Sequence, residues 1–323
     1  MTPGAAPPRG VFLDLDSLHP ADLDLGHLLG TLPDWDLHDH TPPGLTLERL
    51  RGHQIVVSNK CRLDATTLAA APELRLVCIA ATGSNNVDLE AARKLGIRVC
   101  NVRGYATASV TEHWLALVLA LSRRLSEHDQ AARRDWPLAT QFCLLDYPVR
   151  ELAGRTLGLI GHGELGQAVG RLGEALGMQI LVTRRPGSDD RRPGRIPLDD
   201  LLSRADLVSL HCPLTPTTRG LIGARELELM KPDALLINTA RGELVDSTAL
   251  ASALRGGRIG GAALDVLEQE PPAADHPLLG LEPPKLILTP HVAWAAREAR
   301  QRLVDAVADN IHAFLAGTPR NLL

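Results

Sequence analysis

Aromatic residues are scarce in this chain: four Trp, two Tyr and three Phe among 323 residues. Its cores must therefore be built from Leu, Val, Ile and Ala. Cysteine is sparse too. Cys61, Cys78, Cys100, Cys143 and Cys212 are odd in number, widely spaced and free of any C-x-x-C pair, which fits reduced thiols better than a disulfide scaffold or a cysteine metal site. Reduced thiols and no bound metal are expected. Neither sign of charge dominates, with 34 Lys and Arg against 38 Asp and Glu and a net charge of −4. Nothing there recruits nucleic acid or an anionic membrane. No apolar run reaches the ~18 residues of a membrane span. The opening Met-Thr-Pro-Gly-Ala-Ala-Pro-Pro-Arg-Gly also lacks the apolar centre of a signal peptide, so a cytoplasmic protein is expected.

What the chain does have is a globular composition, 45% hydrophobic and 22% charged, and enough length for two domains. Its most informative stretch runs from Thr156 to Arg185. A short apolar strand, Leu157–Ile160, enters G-x-G-x-x-G with Gly161, Gly163 and Gly166 at the glycine positions. A helical pattern follows through Leu176, and a second strand, Ile180–Val182, closes the unit. In that context each glycine has a mechanism. Gly161 permits a tight turn, Gly163 lets a pyrophosphate approach the backbone, and Gly166 lets helix and strand pack closely. The residues between them, His162, Glu164 and Leu165, are cofactor-binding candidates by position. Phosphates would meet free N–H groups at the positive end of the helix.

The end of the second strand bears on which dinucleotide binds. An NAD site usually places Asp or Glu there to accept from the ribose hydroxyls. Here the place holds Thr183, Arg184 and Arg185, and no acid appears before Asp189. Two guanidiniums suit a 2′-phosphate. NADPH is favoured, and NADH use stays open; the same arginines also read as solvated surface bases.

Strand candidates precede the glycine unit at Val11–Leu13, Ile55–Val57, Leu76–Ile79 and Val99–Asn101, with helical segments such as Asp88–Leu95 between them. Others follow at Leu207–His211, Ala234–Asn238, Gly261–Leu264 and Leu286–Leu288. Two apolar helical runs, Thr111–Leu125 and Ala295–Phe314, mark the crossings. The expected class is α/β: two Rossmann-like domains with parallel sheets, a nucleotide-binding domain (106–289) inserted into a flavodoxin-like substrate domain (1–105 and 290–323). Two hinges beside a cleft would allow closure on substrate.

Three ionisable residues stand where strands of the nucleotide domain end, the edge at which open α/β sheets bind ligands. Arg241 follows Leu236-Ile237-Asn238-Thr239-Ala240, Glu270 closes the segment that starts at Ala263, and His291 follows Leu288-Thr289-Pro290. An arginine, a carboxylate and a histidine are what reduction of a keto acid needs. The guanidinium can grip the carboxylate and polarise the carbonyl. The imidazole can donate the proton, and the carboxylate can orient the imidazole and favour its charged form. Each has a plainer reading as a loop residue, and Glu268 rivals Glu270. Spacing alone leaves both matters open.

These segments carry a resemblance. Gly-His-Gly-Glu-Leu-Gly, His211-Cys212-Pro213-Leu214-Thr215, Asn238-Thr239-Ala240-Arg241-Gly242, Leu264-Asp265-Val266 through Glu270-Pro271, and Thr289-Pro290-His291 resemble the successive signatures of the D-isomer-specific 2-hydroxyacid dehydrogenases, from about Leu76 to Arg300. The resemblance implies that Arg241 is the substrate arginine, Glu270 the histidine's partner in preference to Glu268, and His291 the general acid/base. It implies that His211, Cys212, Pro213, Thr239, Ala240 and Asp265 border the cofactor, Asp265 at the nicotinamide carboxamide. It places Thr82 and Gly83 at the substrate carboxylate, with Lys60 and Trp294 bordering the substrate. Arg184 replaces the family's acid.

Within the family, Phe142 to Pro148 and Thr289 to Trp294 look most like hydroxypyruvate reductases, also called glycerate dehydrogenases, which often accept glyoxylate. Trp136 and Phe142 fall in the segment the family uses as a dimerisation arm, so a homodimer is expected. Three rival functions share the scaffold: a formate- or phosphite-oxidising enzyme, a non-enzymatic NAD-sensing regulator, and a binding module without turnover. Glu270 argues against the formate branch, which carries glutamine there.

Overall fold

The computed structural model describes residues 7–187, 192–281 and 285–323. The chain forms two compact units: the first comprises the chain up to Ala106 with Ala295–Leu323, the second Thr107–Trp294.

The first unit is built on a five-stranded parallel sheet. Its strands are β1 (Arg9–Phe12), β2 (Asp34–Leu37), β3 (Ile55–Ser58), β4 (Leu76–Ile79) and β5 (Arg98–Cys100), in the order β2-β1-β3-β4-β5. This is the flavodoxin-like order. β3 and β4 are buried along their whole length, as expected of parallel strands covered on both faces. The Arg297–Leu315 helix belongs to this unit and buries Leu303, Val307 and Ile311. Its Arg300 is tied to Asp22 by two bonds of 2.7 and 2.8 Å. The chain end covers the β5 edge, with Leu322 bridged to Cys100 and the Leu323 amide donating to the Val99 carbonyl at 3.0 Å.

The second unit carries β6 (Thr156–Ile160), β7 (Gln179–Thr183), β8 (Arg195–Ile196), β9 (Leu207–Leu210), β10 (Leu235–Asn238), β11 (Gly261–Leu264) and β12 (Leu286–Leu288). They form one parallel sheet in the order β12-β11-β10-β9-β6-β7-β8. Counted from β6, that is the doubly wound 3-2-1-4-5-6 order with one strand added. Its aliphatic cores match the composition. Trp114, on the Thr107–Arg123 helix, is fully buried and donates Nε1–H to Ser209 Oγ at 2.9 Å.

Two strands, β2 and β8, are absent from the sequence pattern, and both lie at sheet edges. β2 reads Asp-Trp-Asp-Leu, and β8 is two residues long. Neither has the apolar run that marks a central parallel strand, because an edge strand buries less. All five cysteines are free thiols. Among the described residues, no helix is long and apolar enough to cross a membrane, and no group of His, Cys, Asp or Glu is arranged to hold a metal ion.

Candidate active site

The strand order reverses between β6 and β9, and the glycine turn sits at the carboxyl end of β6, beside that switch point. Gly161 has φ +98°, a conformation that side chains rarely adopt. A Cβ there would also lie 2.5 Å from the His211 and Cys212 backbone. Gly166, in the first turn of the Glu164–Ala175 helix, would drive a Cβ into the Gly161 carbonyl. Gly163 differs: nothing lies within 4 Å of the position its Cβ would take. It is the N-cap and offers no side-chain cap, so the first N–H groups of the helix stay available. The open space over Gly163 and the uncapped helix start fit a pyrophosphate. Glu164 accepts from the Thr107 hydroxyl, Leu165 is half-buried beside it, and His162 reaches toward Arg195.

Two buried polar atoms nearby lack a protein partner, His211 Nδ1 and Thr239 Oγ1, at the carboxyl ends of β9 and β10. The other ring nitrogen of His211 pairs with Ser209 Oγ at 2.8 Å, and burial pushes this histidine down to about 4. It is therefore neutral at pH 7. Orphaned polar atoms in a native fold call for a ligand, and a dinucleotide lying across the switch point fits them. Cys212 is buried, and burial raises its thiol to about 11, so it packs rather than reacts. Pro213 is exposed beside it, and the Ala240 amide donates to Asn238 Oδ1 at 3.0 Å. At the end of β7, Thr183 is buried while Arg184 and Arg185 are exposed. Asp189 lies outside the described residues.

Arg241, Glu270 and His291 are brought to one edge by β10, β11 and β12. Asn238 donates to the Arg241 carbonyl at 2.8 Å, which fixes the loop after β10. Gly242 then presses on the Leu267–Glu268 backbone so closely that no Cβ could be accommodated, which locks the Arg241 loop against the Glu270 loop. His291 Nδ1 meets Glu270 Oε2 at 2.6 Å, and the second carboxylate oxygen accepts from the Leu267 amide at 3.0 Å. Glu268 is engaged elsewhere, with Ser247 at 2.6 Å and His276 at 3.2 Å. Partial burial opposes its ionisation, but these bonds prevail and hold its carboxyl below the usual range.

His291 itself has φ +54°, which costs a non-glycine residue on the order of 1 kcal/mol. Asp265 holds it there. This carboxylate, 1% exposed, accepts from Thr289 Oγ1 at 2.6 Å and from the Val292 and Ala293 amides at 2.9 Å each, while its carbonyl accepts from the His291 amide at 2.8 Å. The Thr107–Arg123 helix braces the same turn: Ser109 donates to the Ala293 carbonyl at 2.6 Å, and His113 pairs with Thr289 at 3.0 Å. Trp294 is half-buried and donates to the His291 carbonyl at 3.0 Å.

The remaining candidates lie in the first unit. Lys60 follows β3, and its amide donates to Asp14 at 2.6 Å, as do those of Asn59 at 2.9 Å and Cys61 at 3.1 Å. Lys60 lines a cavity of about 660 Å³ with Asp14, Asp39 and His40, among others. Thr82 and Gly83, after β4, are not part of that lining. Thr82 donates to the Val102 carbonyl at 2.8 Å, and Asn101 donates to the Thr82 carbonyl at 2.6 Å.

Residues 115–293 match the model of the D-isomer specific 2-hydroxyacid dehydrogenase NAD-binding domain. The chain belongs to the D-isomer-specific 2-hydroxyacid dehydrogenases. It is 46% identical over 282 residues to a glycerate dehydrogenase of Methylorubrum extorquens, covering 87% of this chain and 88% of the relative. It is 36% identical to a hydroxypyruvate reductase of Blautia hydrogenotrophica, covering 97% and 98%. Among solved structures, an acyclic imino acid reductase in complex with NADPH and D-Arg superposes with a TM-score of 0.86 at 27% identity, covering 98% of this chain and 99% of that one.

Several residues that hold these candidates in place in this D-2-hydroxyacid dehydrogenase carry no signal of their own in the sequence. Ser109 and His113 look like ordinary positions on an apolar helix, and Asp14 like the end of a strand. Gly242 is the exception. A glycine directly after a candidate catalytic arginine signals a close backbone approach.

Proposed function

We propose that the protein reduces hydroxypyruvate, and glyoxylate as well, to the D-2-hydroxy acid at the expense of a reduced nicotinamide dinucleotide, with NADPH favoured and NADH admitted. The observation that carries this reading is the 2.6 Å bond between His291 Nδ1 and Glu270. It commits one ring nitrogen to the carboxylate and leaves Nε2 to face a substrate. When bound, the cofactor supplies the hydride that the keto carbon accepts. Arg241 grips the substrate carboxylate through its planar guanidinium and draws electron density from the neighbouring carbonyl. His291 gives the carbonyl oxygen its proton from Nε2–H, and Glu270 keeps the ring oriented and balances its charge. Asp265 acts on the imidazole by holding the turn, and it borders the nicotinamide carboxamide. Thr82 and Gly83 offer backbone to the substrate carboxylate, and Lys60 and Trp294 border the substrate.

In this reading residues 106–289 carry the dinucleotide, and residues 1–105 with 290–323 form the substrate domain, in a cytoplasmic enzyme. A second copy of the chain is the expected partner. Supporting that, Leu138, Phe142 and Leu145 are 83%, 87% and 85% exposed on one segment, apolar side chains that a second copy would cover. Light scattering should give the mass of a dimer.

The test of the activity is direct. Loss of nicotinamide absorbance is followed with NADPH and with NADH against hydroxypyruvate, glyoxylate and pyruvate. Hydroxypyruvate should turn over fastest. No turnover with any keto acid sinks the enzyme reading and leaves a cofactor-binding regulator; turnover restricted to NADH overturns the cofactor preference.

A further inference from the structure

β8 contributes two residues to the sheet, and one of them makes an unexpected reach. In the order β9-β6-β7-β8, the strand β7 separates β8 from β6. Arg195 on β8 pairs with Val182, one residue before the end of β7. Its guanidinium nevertheless lies 3.2 Å from Nδ1 of His162, in the glycine turn that follows β6. The side chain must therefore pass over the carboxyl end of β7. In a doubly wound fold that is where the adenosine ribose rests and where an acid or an arginine reads its 2′ position.

The chemistry of the pair is defined. Arginine can only donate, so His162 accepts at Nδ1 and carries its proton on Nε2. Partial burial, with Arg195 and Arg192 close by, lowers the affinity of His162 for a second proton, and the neutral ring is the form that can accept. Arg195 is half-buried, whereas Arg184 is exposed and is tied to β8 only through its backbone amide, 2.8 Å from the Ile196 carbonyl. A guanidinium already anchored loses less freedom on binding an anion than one in solvent. None of the ion pairs among the described residues gives Arg195 a carboxylate partner.

We infer that Arg195, steadied by His162, is the group that recognises a 2′-phosphate on the adenosine ribose, and that Arg195 rather than Arg184 separates NADPH from NADH. This rests on the proposed preference for a phosphorylated dinucleotide and assigns it to a residue outside the glycine unit. A planar fork and a phosphate pair through two parallel bonds, which a ribose hydroxyl cannot match.

The experiment measures binding without keto acid. Wild type, Arg195→Gln, Arg195→Lys and Arg184→Gln are titrated with NADPH, NADH, adenosine 2′,5′-bisphosphate and 5′-AMP, with thermal midpoints recorded. Arg195→Gln should weaken NADPH and the bisphosphate about tenfold or more and leave NADH and 5′-AMP within about twofold. Arg184→Gln should lose less, and Arg195→Lys should recover part of the loss at an unchanged midpoint. Equal losses for NADPH and NADH in Arg195→Gln would assign the pair to the shared pyrophosphate and overturn the inference. So would Arg184→Gln costing more, or Arg195→Gln costing nothing. A wild-type protein that binds NADH and not NADPH refutes the cofactor preference itself, and the inference with it.

Discussion

The glycine turn after β6 and the histidine turn after β12 lie at the same edge of one sheet, yet they are shaped by different means. The first is shaped by the absence of side chains. Gly161 and Gly166 leave no room for a Cβ, and the backbone closes on itself and on the His211–Cys212 segment. The second is shaped by one buried carboxylate. Asp265 gathers Thr289, Val292 and Ala293 and forces His291 into a conformation it would not choose. A steric device binds without contributing a reacting group. A polar network can present one, and it stores strain in doing so.

Substitutions can break or sharpen that contrast. The largest effect is expected from His291→Ala, which should lower kcat about 10²- to 10⁴-fold by removing the proposed proton donor, with dinucleotide affinity unchanged by equilibrium titration. Activity near wild type would mean the histidine turn presents nothing. Next come the two keystones. Gly161→Ala should lose about 3 kcal/mol in denaturant titrations, through strain and overlap with the His211–Cys212 backbone. Asp265→Ala should lose a similar amount, about 3 kcal/mol, by stranding buried N–H groups. The kinetic signatures should separate them, with kcat falling steeply in Asp265→Ala even in molecules that remain folded. Equal kinetic losses in both would erase the distinction between the turns.

Gly163→Ala should cost no more than about 1 kcal/mol, because its Cβ meets open space and only the N-cap preference is lost, yet weaken the dinucleotide about tenfold by crowding the proposed pyrophosphate position. Unchanged affinity would show that this glycine is not kept for a ligand.

The last effect concerns pH. Native His211 stays neutral down to about 4, against an ordinary value of 6.5. Between those values the unfolded chain binds the extra proton, so stability should fall as pH drops from 6.5 toward 4. His211→Gln should flatten that part of the pH–stability curve. An unaltered slope would show that the buried ring does not contribute to it.

Much of this was legible beforehand because it is local. Four-residue apolar runs mark buried parallel strands, and G-x-G-x-x-G between a strand and a helix names its own turn. The edge strands leave no such mark, since β2 and β8 bury too little to need an apolar run. The choice between Glu268 and Glu270 could be read only by resemblance, because both sit in one acidic loop. Folding separates them, placing Ser247 and His276 on Glu268 and His291 on Glu270.

By itself the sequence determined the class of the fold, two parallel-sheet units with a dinucleotide turn, because those features follow from hydrophobic period and from where a Cβ is missing. Only the tertiary structure decided how His291 is held and which arginine crosses β7. Ser109 meets the histidine turn across 184 positions of chain, and Arg195 meets the glycine turn across 33. A hydrogen bond between residues so far apart has no period and no local spacing. It exists only once the sheet has set the order of its strands.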